Sequence, residues 1–366
     1  MRILFVYQFC SLGGCETVLR NRLVGFREHG LAPAVVLLKD IGGGEVFAGF
    51  EDVTYPCSLE RLERIVARGR FDVVAALDTP QVYPVLARAS FAGTLVTEVH
   101  SNRIDNLQYL QDLEATATRL VITPSRYEAE LIYREFPALR GGPIPLRVVP
   151  NPVDRSMFRF AAPSVAPPRK LLGWVGRLEP EKNWRHFVDV AAALARARAD
   201  VDFLVVGGWA VTDDVKREFL AAVKAAGLVD RLQWVSSLAY AHMPRFYSLL
   251  AASGGALVPT SVIEPFGMSV VEAMACGCPV VASRAGAFEE LIEHGRSGLT
   301  FEVNDTRDAV AAVGAVLDDG ALRRRLVDEA LARVDARWAA GPIAARWLET
   351  VRSAAAPAGA RALTAV

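Results

Sequence analysis

Two carboxylates eight residues apart, Glu264 and Glu272, bracket a place where a helix should begin: Ile263-Glu264-Pro265-Phe266-Gly267-Met268-Ser269-Val270-Val271-Glu272-Ala273-Met274-Ala275-Cys276-Gly277-Cys278-Pro279-Val280-Val281-Ala282. The run from Gly267 to about Cys276 reads as a helix that stops at Gly277, and Pro279 opens an apolar strand. A helix starting there leaves the amides of Phe266, Gly267 and Met268 without carbonyl partners, and such a terminus attracts anions, phosphate above all. Glu264 stands just before the helix and Glu272 more than one turn inside it. The two can accept hydrogen bonds from sugar hydroxyls on either side of a bound phosphate, the layout expected for a nucleotide-sugar site. A glutamate near a helix start is also an ordinary dipole partner, so the spacing alone supports either reading.

Three other stretches carry usable chemistry. Gly173-Trp174-Val175-Gly176-Arg177-Leu178-Glu179-Pro180-Glu181-Lys182-Asn183 closes a short apolar strand, and strand ends face the ligand crevice in open α/β sheets. Arg177 supplies a planar fork and Lys182 a compact charge, both suited to phosphate; a solvated charged turn is the plain alternative. Ser11-Leu12-Gly13-Gly14-Cys15-Glu16 follows the first strand, where paired glycines permit close backbone approach and positive φ. G-x-G-x-x-G is absent, so no dinucleotide fold is indicated. His100 follows the strand Thr94–Val99, again at a carboxyl end, with Ser101, Asn102 and Arg103 after it. The neighbouring Glu98 is expected on the strand's other face or in packing, and has no assigned role.

The elements that must position these groups follow from apolar periodicity. Strands Ile3–Tyr7, Ala34–Leu38, Phe71–Leu77, Thr94–Val99 and Val121–Thr123 alternate with amphipathic helical stretches, and Ser125 can cap the helix after the last of them. Their Val-, Ile- and Leu-rich runs fit strands buried on both faces, the doubly wound α/β pattern. Pro150-Asn151-Pro152 and the proline-rich passage 162–168 cannot continue a helix or central strand and read as an interdomain linker. The α/β rhythm restarts with strands Leu171–Val175, Phe203–Val206 and Leu232–Val235. The expectation is therefore one domain over 1–160 and a second over 161–340, then a late helix at 341–353 carrying Trp347 and a frayed Ala-, Gly- and Pro-rich tail over 354–366.

Composition narrows the function classes. The 366 residues hold 41 basic and 41 acidic side chains, and the first 160 are balanced at 18 of each, so neither half has the basic excess that argues for nucleic acid. Five cysteines with no paired framework argue for reduced thiols and a cytoplasmic setting. Cys276-x-Cys278 lacks a second ligand pair, so it gives no reason to expect a metal. No signal peptide is evident, and no uncharged apolar run reaches the roughly 18 residues of a membrane span. Peripheral contact with the inner membrane face stays open. Asp200-Val201-Asp202 is a D-x-D, but it precedes its strand and so lies at the wrong edge of the sheet; it reads as a solvated turn.

The complete strings around Glu264–Glu272 and Arg177–Asn183 resemble the E-x7-E and G-R-L-x-x-E-K-N segments of the retaining glycosyltransferases of family 4, the group 1 transferases with a GT-B fold. The likeness is strong over most of the second domain and loose over the first. It implies two Rossmann-like domains facing a cleft, with the C-terminal segment 341–366 crossing back to an acceptor-side first domain. By resemblance Glu264 contacts the donor sugar, Glu272 the nucleotide ribose, and Arg177 and Lys182 the donor diphosphate. Phe266, Gly267 and Met268 offer amides to the phosphates. His100 contacts the donor sugar or the reacting centre, and Gly13 and Gly14 lie near the phosphates and the acceptor. Val148-Val149-Pro150-Asn151-Pro152-Val153-Asp154 resembles the family's P-N-G-V-D, except that Pro152 replaces glycine and removes a donor and a positive φ. The implied reaction moves a hexose from a UDP- or GDP-sugar to an acceptor hydroxyl, by a front-face route with retention, with no metal and no cofactor beyond the donor. The acceptor is a carbohydrate, a lipid-linked molecule or a small molecule. A sugar-nucleotide epimerase on the same fold and a non-catalytic sugar-nucleotide binder are the alternatives; donor turnover that requires an acceptor separates the three.

Overall fold

The computed structural model describes residues 1–208 and 211–355, and the tail read as frayed lies, from residue 356 on, outside the described residues. The chain divides into two compact units, Met1–Asp154 together with the chain from Trp338, and Arg155–Arg337. The sequence pattern places the corresponding limits at 160/161 and 340/341. The proline-rich passage 162–168, expected as the linker, lies inside the second unit.

The first unit is built on β1 (Ile3–Cys10), α1 (Gly14–Glu28), β2 (Ala34–Asp40), β3 (Val53–Thr54), α2 (Leu59–Gly69), β4 (Val73–Leu77), α3 (Val82–Arg88), β5 (Thr94–Glu98), β6 (Thr118–Thr123), α4 (Arg126–Glu135) and β7 (Leu146–Val148). The strands form one parallel sheet in the order β3-β2-β1-β4-β5-β6-β7. β4 is buried at every position, as expected for a strand covered on both faces. The order reverses between β1 and β4: the chain builds outward from β1 on one side, then returns to lay β4 on the other. Carboxyl ends at such a reversal flank a crevice with helices diverging on either side.

The second unit repeats the scheme with β8 (Lys170–Val175), α5 (Trp184–Ala197), β9 (Val201–Val206), α6 (Asp213–Ala225), β10 (Leu232–Val235), α7 (Met243–Ala252), β11 (Ala256–Leu257), α8 (Met268–Ala275), β12 (Val281–Ser283), α9 (Phe288–Leu291), β13 (Leu299–Phe301), α10 (Thr306–Asp318) and α11 (Gly320–Arg337). Its parallel sheet runs β10-β9-β8-β11, and a bridge between Leu257 and Val280 leads on to the β12-β13 pair. Here the reversal lies between β8 and β11. Trp174, Phe187, Phe203 and Phe219 fill the core between sheet and helices.

The last helix, α12 (Ala340–Ala355), packs in the first unit, against α1. Trp347 packs at a tilt on Phe5 of β1 with centroids 5.3 Å apart and edge-on with Phe26 of α1 at 5.4 Å, a buried aromatic trio that anchors the helix. Asp154, the last residue of the unit's first segment, pairs with Arg20 of α1 at 2.9 Å, and Asn21 donates to the Pro152 carbonyl at 3.0 Å. The segment 150–154 is thus stapled to α1. Among the described residues no helix is long and apolar enough to cross a membrane.

Glycine 25 sets how closely α12 approaches α1: a Cβ there would lie 2.2 Å from the Ala340 carbonyl oxygen. Gly25→Ala should therefore lower the urea midpoint, costing about 1–3 kcal/mol as overpacking does. Gly314→Ala, in α10 with nothing within 4 Å of the new methyl, should instead raise it by about 0.5–1 kcal/mol, the helix-propensity gain.

Candidate functional site

In the second unit, the pairing of β8 with β11 brings two loops together. Ala256 and Leu257 register with Leu172 and Gly173, so the chain leaves both strands side by side. The loop after β8 holds Arg177 and, on a 3-10 turn over Pro180–Lys182, Lys182. Asn183 takes a left-handed φ of 53° and starts α5. The loop after β11 is fastened to it. Thr260 Oγ1 accepts from Trp174 Nε1 at 3.0 Å and points at the Lys182 and Asn183 carbonyls at 3.2 and 2.9 Å; the Val262 amide donates to the Glu181 carbonyl at 2.9 Å. The result is a direct pair: Lys182 Nζ donates to Glu264 Oε2 at 2.6 Å, and Ser261 Oγ reaches the same oxygen at 3.3 Å. Glu264 Oε1 has no hydrogen bond among the described residues.

Directly after Glu264 comes the start of α8. Gly267, its N-cap, has φ 100°, and a Cβ there would press on the Phe288 ring at 2.6 Å, so glycine is required on both counts. The amides of Met268 and Ser269 open the helix without carbonyls one turn before them. The helix runs Met268–Ala275, within a residue of the expected limits at each end. Phe266 is buried. Glu272, well inside α8, is buried too and accepts from Tyr247 Oη at 2.9 Å and Tyr240 Oη at 3.4 Å. Burial, then the charge of Glu272, holds the Tyr247 hydroxyl well above its ordinary pKa, so it remains a donor. Arg177 does not join the Lys182–Glu264 contact: it is exposed and pairs with Glu179 of its own loop at 3.2 Å.

In the first unit, Gly13 and Gly14 follow β1, and a residue with no part in the sequence reading, Asp78, follows β4 across the reversal. Gly13 is the N-cap of α1 with φ −95°, and neither glycine has a positive φ, which corrects that expectation. Gly13 serves close approach instead: a Cβ would meet Glu16 Oε2 at 2.9 Å. Glu16 in turn accepts from the Ser11 amide at 2.6 Å, closing the loop. Asp78 has a left-handed φ of 40°, and both its carboxylate oxygens accept from the His100 amide, at 3.1 and 3.2 Å. Gln8 of β1 donates to its carbonyl at 3.1 Å, spanning the reversal.

His100 is buried, and its ring Nε2 lies 3.2 Å from Glu98 Oε2. Glu98 is therefore on the same side as His100, not on the opposite face, as residues two apart at a strand end must be. Arg22 of α1 pairs with the same oxygen at 2.5 Å, and Trp347 Nε1 donates to Oε1 at 2.8 Å. Burial alone would raise the Glu98 carboxyl, but Arg22 and His100 outweigh it and bring it down to about 2.

The structure also exposes what the sequence reading passed over. Gly286, after β12, has φ 56° and lies so close that a Cβ would sit 2.4 Å from the Glu264 carbonyl oxygen, while the Ala287 amide donates to that oxygen at 2.9 Å. Gly207, after β9, has φ 128° and packs on the Gly176 carbonyl, one residue before Arg177. Both glycines follow strands, so the rule that singled out His100 applied equally to them and to Asp78. The D-x-D is more than a solvated turn: Asp202 pairs with Arg169 and Arg231, and Asp200 with Arg198 and Lys170, an ion-pair cluster at the amino edge of β9. Cys276 and Cys278 are buried, and burial pushes the Cys276 thiol up to about 12.

Each unit is a Rossmann-like α/β unit with polar and charged residues at its sheet reversal, and the solved structures that align with the chain have the GT-B fold. Residues 159–333, nearly all of the second unit, match the family model described as glycosyl transferases group 1. Similar curated proteins include the 2-deoxystreptamine glucosyltransferase of Streptomyces kanamyceticus, 36% identical over 47% of this chain and 42% of that protein. The D-inositol 3-phosphate glycosyltransferase of Acidothermus cellulolyticus is 33% identical over 60% of this chain and 50% of its own length. The chain thus spans half or less of these relatives. Among solved structures, HepE of Anabaena in complex with UDP-glucose aligns with a TM-score of 0.81 at 24% identity, over 96% of this chain and 100% of that one. Sucrose-phosphate synthase of Thermosynechococcus elongatus aligns at 0.80 and 19%, over 96% and 98%.

Asp78 sets a pH dependence. Burial lifts its carboxyl from 3.8 to about 6, against the opposing pull of His100. A raised folded-state pKa means that the native state favours the protonated form, so this contribution to stability is present at low pH and lost as pH rises from about 4 through about 6. Asp78→Asn cannot ionise. Urea midpoints measured across that window should show the variant gaining on the wild type as pH rises; parallel curves would show that Asp78 titrates as an exposed carboxyl does.

Proposed function

We propose that the chain is a retaining glycosyltransferase that moves a hexose from a UDP- or GDP-sugar to an acceptor hydroxyl, without a divalent metal. The carrying observation is the Lys182–Glu264 pair at the β8/β11 reversal, immediately ahead of the α8 N-terminus and inside the segment matched by the group 1 family model. A cation and a helix terminus suit a diphosphate, and the unoccupied Oε1 of Glu264 suits a sugar hydroxyl. In this reading Arg177 and Lys182 stabilise the charge that builds on the departing diphosphate, with the amides from Phe266 to Met268. Glu272, held by Tyr247, takes the ribose, and His100, Gly13 and Gly14 serve the sugar and acceptor. The bond from the anomeric carbon to the diphosphate oxygen breaks, the acceptor oxygen bonds that carbon on the same face, and the acceptor proton goes to the leaving diphosphate. Relatives named for 2-deoxystreptamine and for inositol phosphate differ in acceptor, so the acceptor is left as a hydroxyl of a carbohydrate, lipid-linked or small molecule.

A thermal-shift panel of UDP-glucose, UDP-N-acetylglucosamine and GDP-mannose tests the donor. A true donor stabilises by mass action, about 2.7 kcal/mol at a hundredfold excess over Kd, and is turned over when an acceptor is supplied. With that donor, EDTA should leave most activity intact; complete loss restored by Mg²⁺ or Mn²⁺ would overturn metal independence. Lys182→Ala and Arg177→Ala should each lower kcat on the order of 10²–10³, the scale for one lost electrostatic donor, with a much smaller change in melting temperature. Normal turnover in both would make the β8 loop a solvated turn.

A further inference from the structure

Glu98, Arg22 and Trp347 form a buried polar group that the proposed reaction does not use. Arg22 is 1% and Glu98 0% exposed in their side chains. A buried ion pair of this kind contributes little net stability, because desolvation of both charges offsets their attraction. The pair is also thrifty: Arg22 Nε and Nη2 have no hydrogen-bond partner among the described residues. Stability therefore does not account for the pair. Its chemical consequence lies at the third neighbour. With Arg22 at 2.5 Å and the Trp347 N–H at 2.8 Å, Glu98 is held as a carboxylate, and a carboxylate only accepts. His100 Nε2, 3.2 Å away, must then be the donor. A neutral imidazole carries one N–H, so Nδ1 is left with its lone pair. The backbone of His100 is fixed separately, by its amide on Asp78. No described residue is hydrogen-bonded to Nδ1.

We propose that Glu98 is a positioning residue: braced by Arg22 and Trp347, it holds the His100 ring as the Nε2–H tautomer and so makes Nδ1 a hydrogen-bond acceptor for a ligand hydroxyl. That the hydroxyl belongs to a sugar rests on the proposed function; the tautomer does not. Only Glu98, at the end of β5, meets the ring among the described contacts; Asp78 after β4 holds the His100 amide, and Arg22 on α1 and Trp347 on α12 hold Glu98.

Long-range ¹H–¹⁵N NMR of the imidazoles in the full chain decides the first point, recorded well above the ordinary histidine pKa of about 6.5, with His100 assigned by the signals lost in His100→Gln. The expected spectrum has Nε2 protonated and Nδ1 bare. A Nδ1–H ring, a doubly protonated ring or an averaged pair overturns the proposal, and no variant is needed to see it. Trp347→Phe keeps the ion pair and should keep the tautomer. Glu98→Gln offers an amide that can donate or accept, and should yield a mixed ring; an unchanged Nε2–H ring in a folded Glu98→Gln protein overturns the role of Glu98. With a donor from the panel, Glu98→Gln should lower kcat by about ten- to a hundredfold, the scale known for carboxylates that orient metal-bound histidines, with KM for the donor changed far less. Unchanged kcat also overturns it. If no donor is turned over, the proposed function fails while the imidazole spectrum still decides the proposal.

Discussion

Parallel pairing at one place in each sheet is the constraint on which the rest depends. A parallel strand can be added on only one side at a time, so a sheet built outward from its first strand must reverse if it is to grow on the other side. In the second unit the reversal places β11 against β8, and the loops that leave them have nowhere to go but side by side. The Thr260 hydroxyl and the Val262 amide then tie one loop to the other. Lys182 and Glu264, 82 residues apart in sequence, meet at 2.6 Å as a result. The first unit obeys the same rule at β1 and β4, where Gln8 reaches across to Asp78.

Glycines make these junctions possible for two separate reasons. Gly267 and Gly286 occupy left-handed backbone that a side chain would strain, and each also lies where a Cβ would collide, with the Phe288 ring and with the Glu264 backbone. Gly13 needs only the space, because its backbone is extended. The distinction matters for mutagenesis: alanine at Gly13 faces a flexible carboxylate, while alanine at Gly286 faces main chain that cannot give way.

Charge is handled differently in the two units. Lys182 is 24% and Glu264 9% exposed in their side chains, so this pair reaches the surface through Lys182 and can meet a ligand there. Arg22 and Glu98 are wholly buried, and breaking that pair would leave an uncompensated ion in the core. One pair can therefore take part in binding, and the other can only hold something else in place.

How much was legible follows from range. The alternation of apolar strands with amphipathic helices, the helix start at Gly267, and Glu264, Lys182 and His100 at strand ends are local patterns, and local patterns are written in the sequence. Not legible were contacts made between distant segments. That Lys182 lies on Glu264, that Arg177 turns instead to Glu179, and that Glu272 is held by Tyr240 and Tyr247 depend on strand order, which periodicity does not encode. Glu98 is the clearest case. As a lone glutamate in an apolar strand it had no readable purpose. Only the tertiary structure brings Arg22 from α1 and Trp347 from α12 to it, because a buried carboxylate must be satisfied by whatever donors the packing of separate elements delivers.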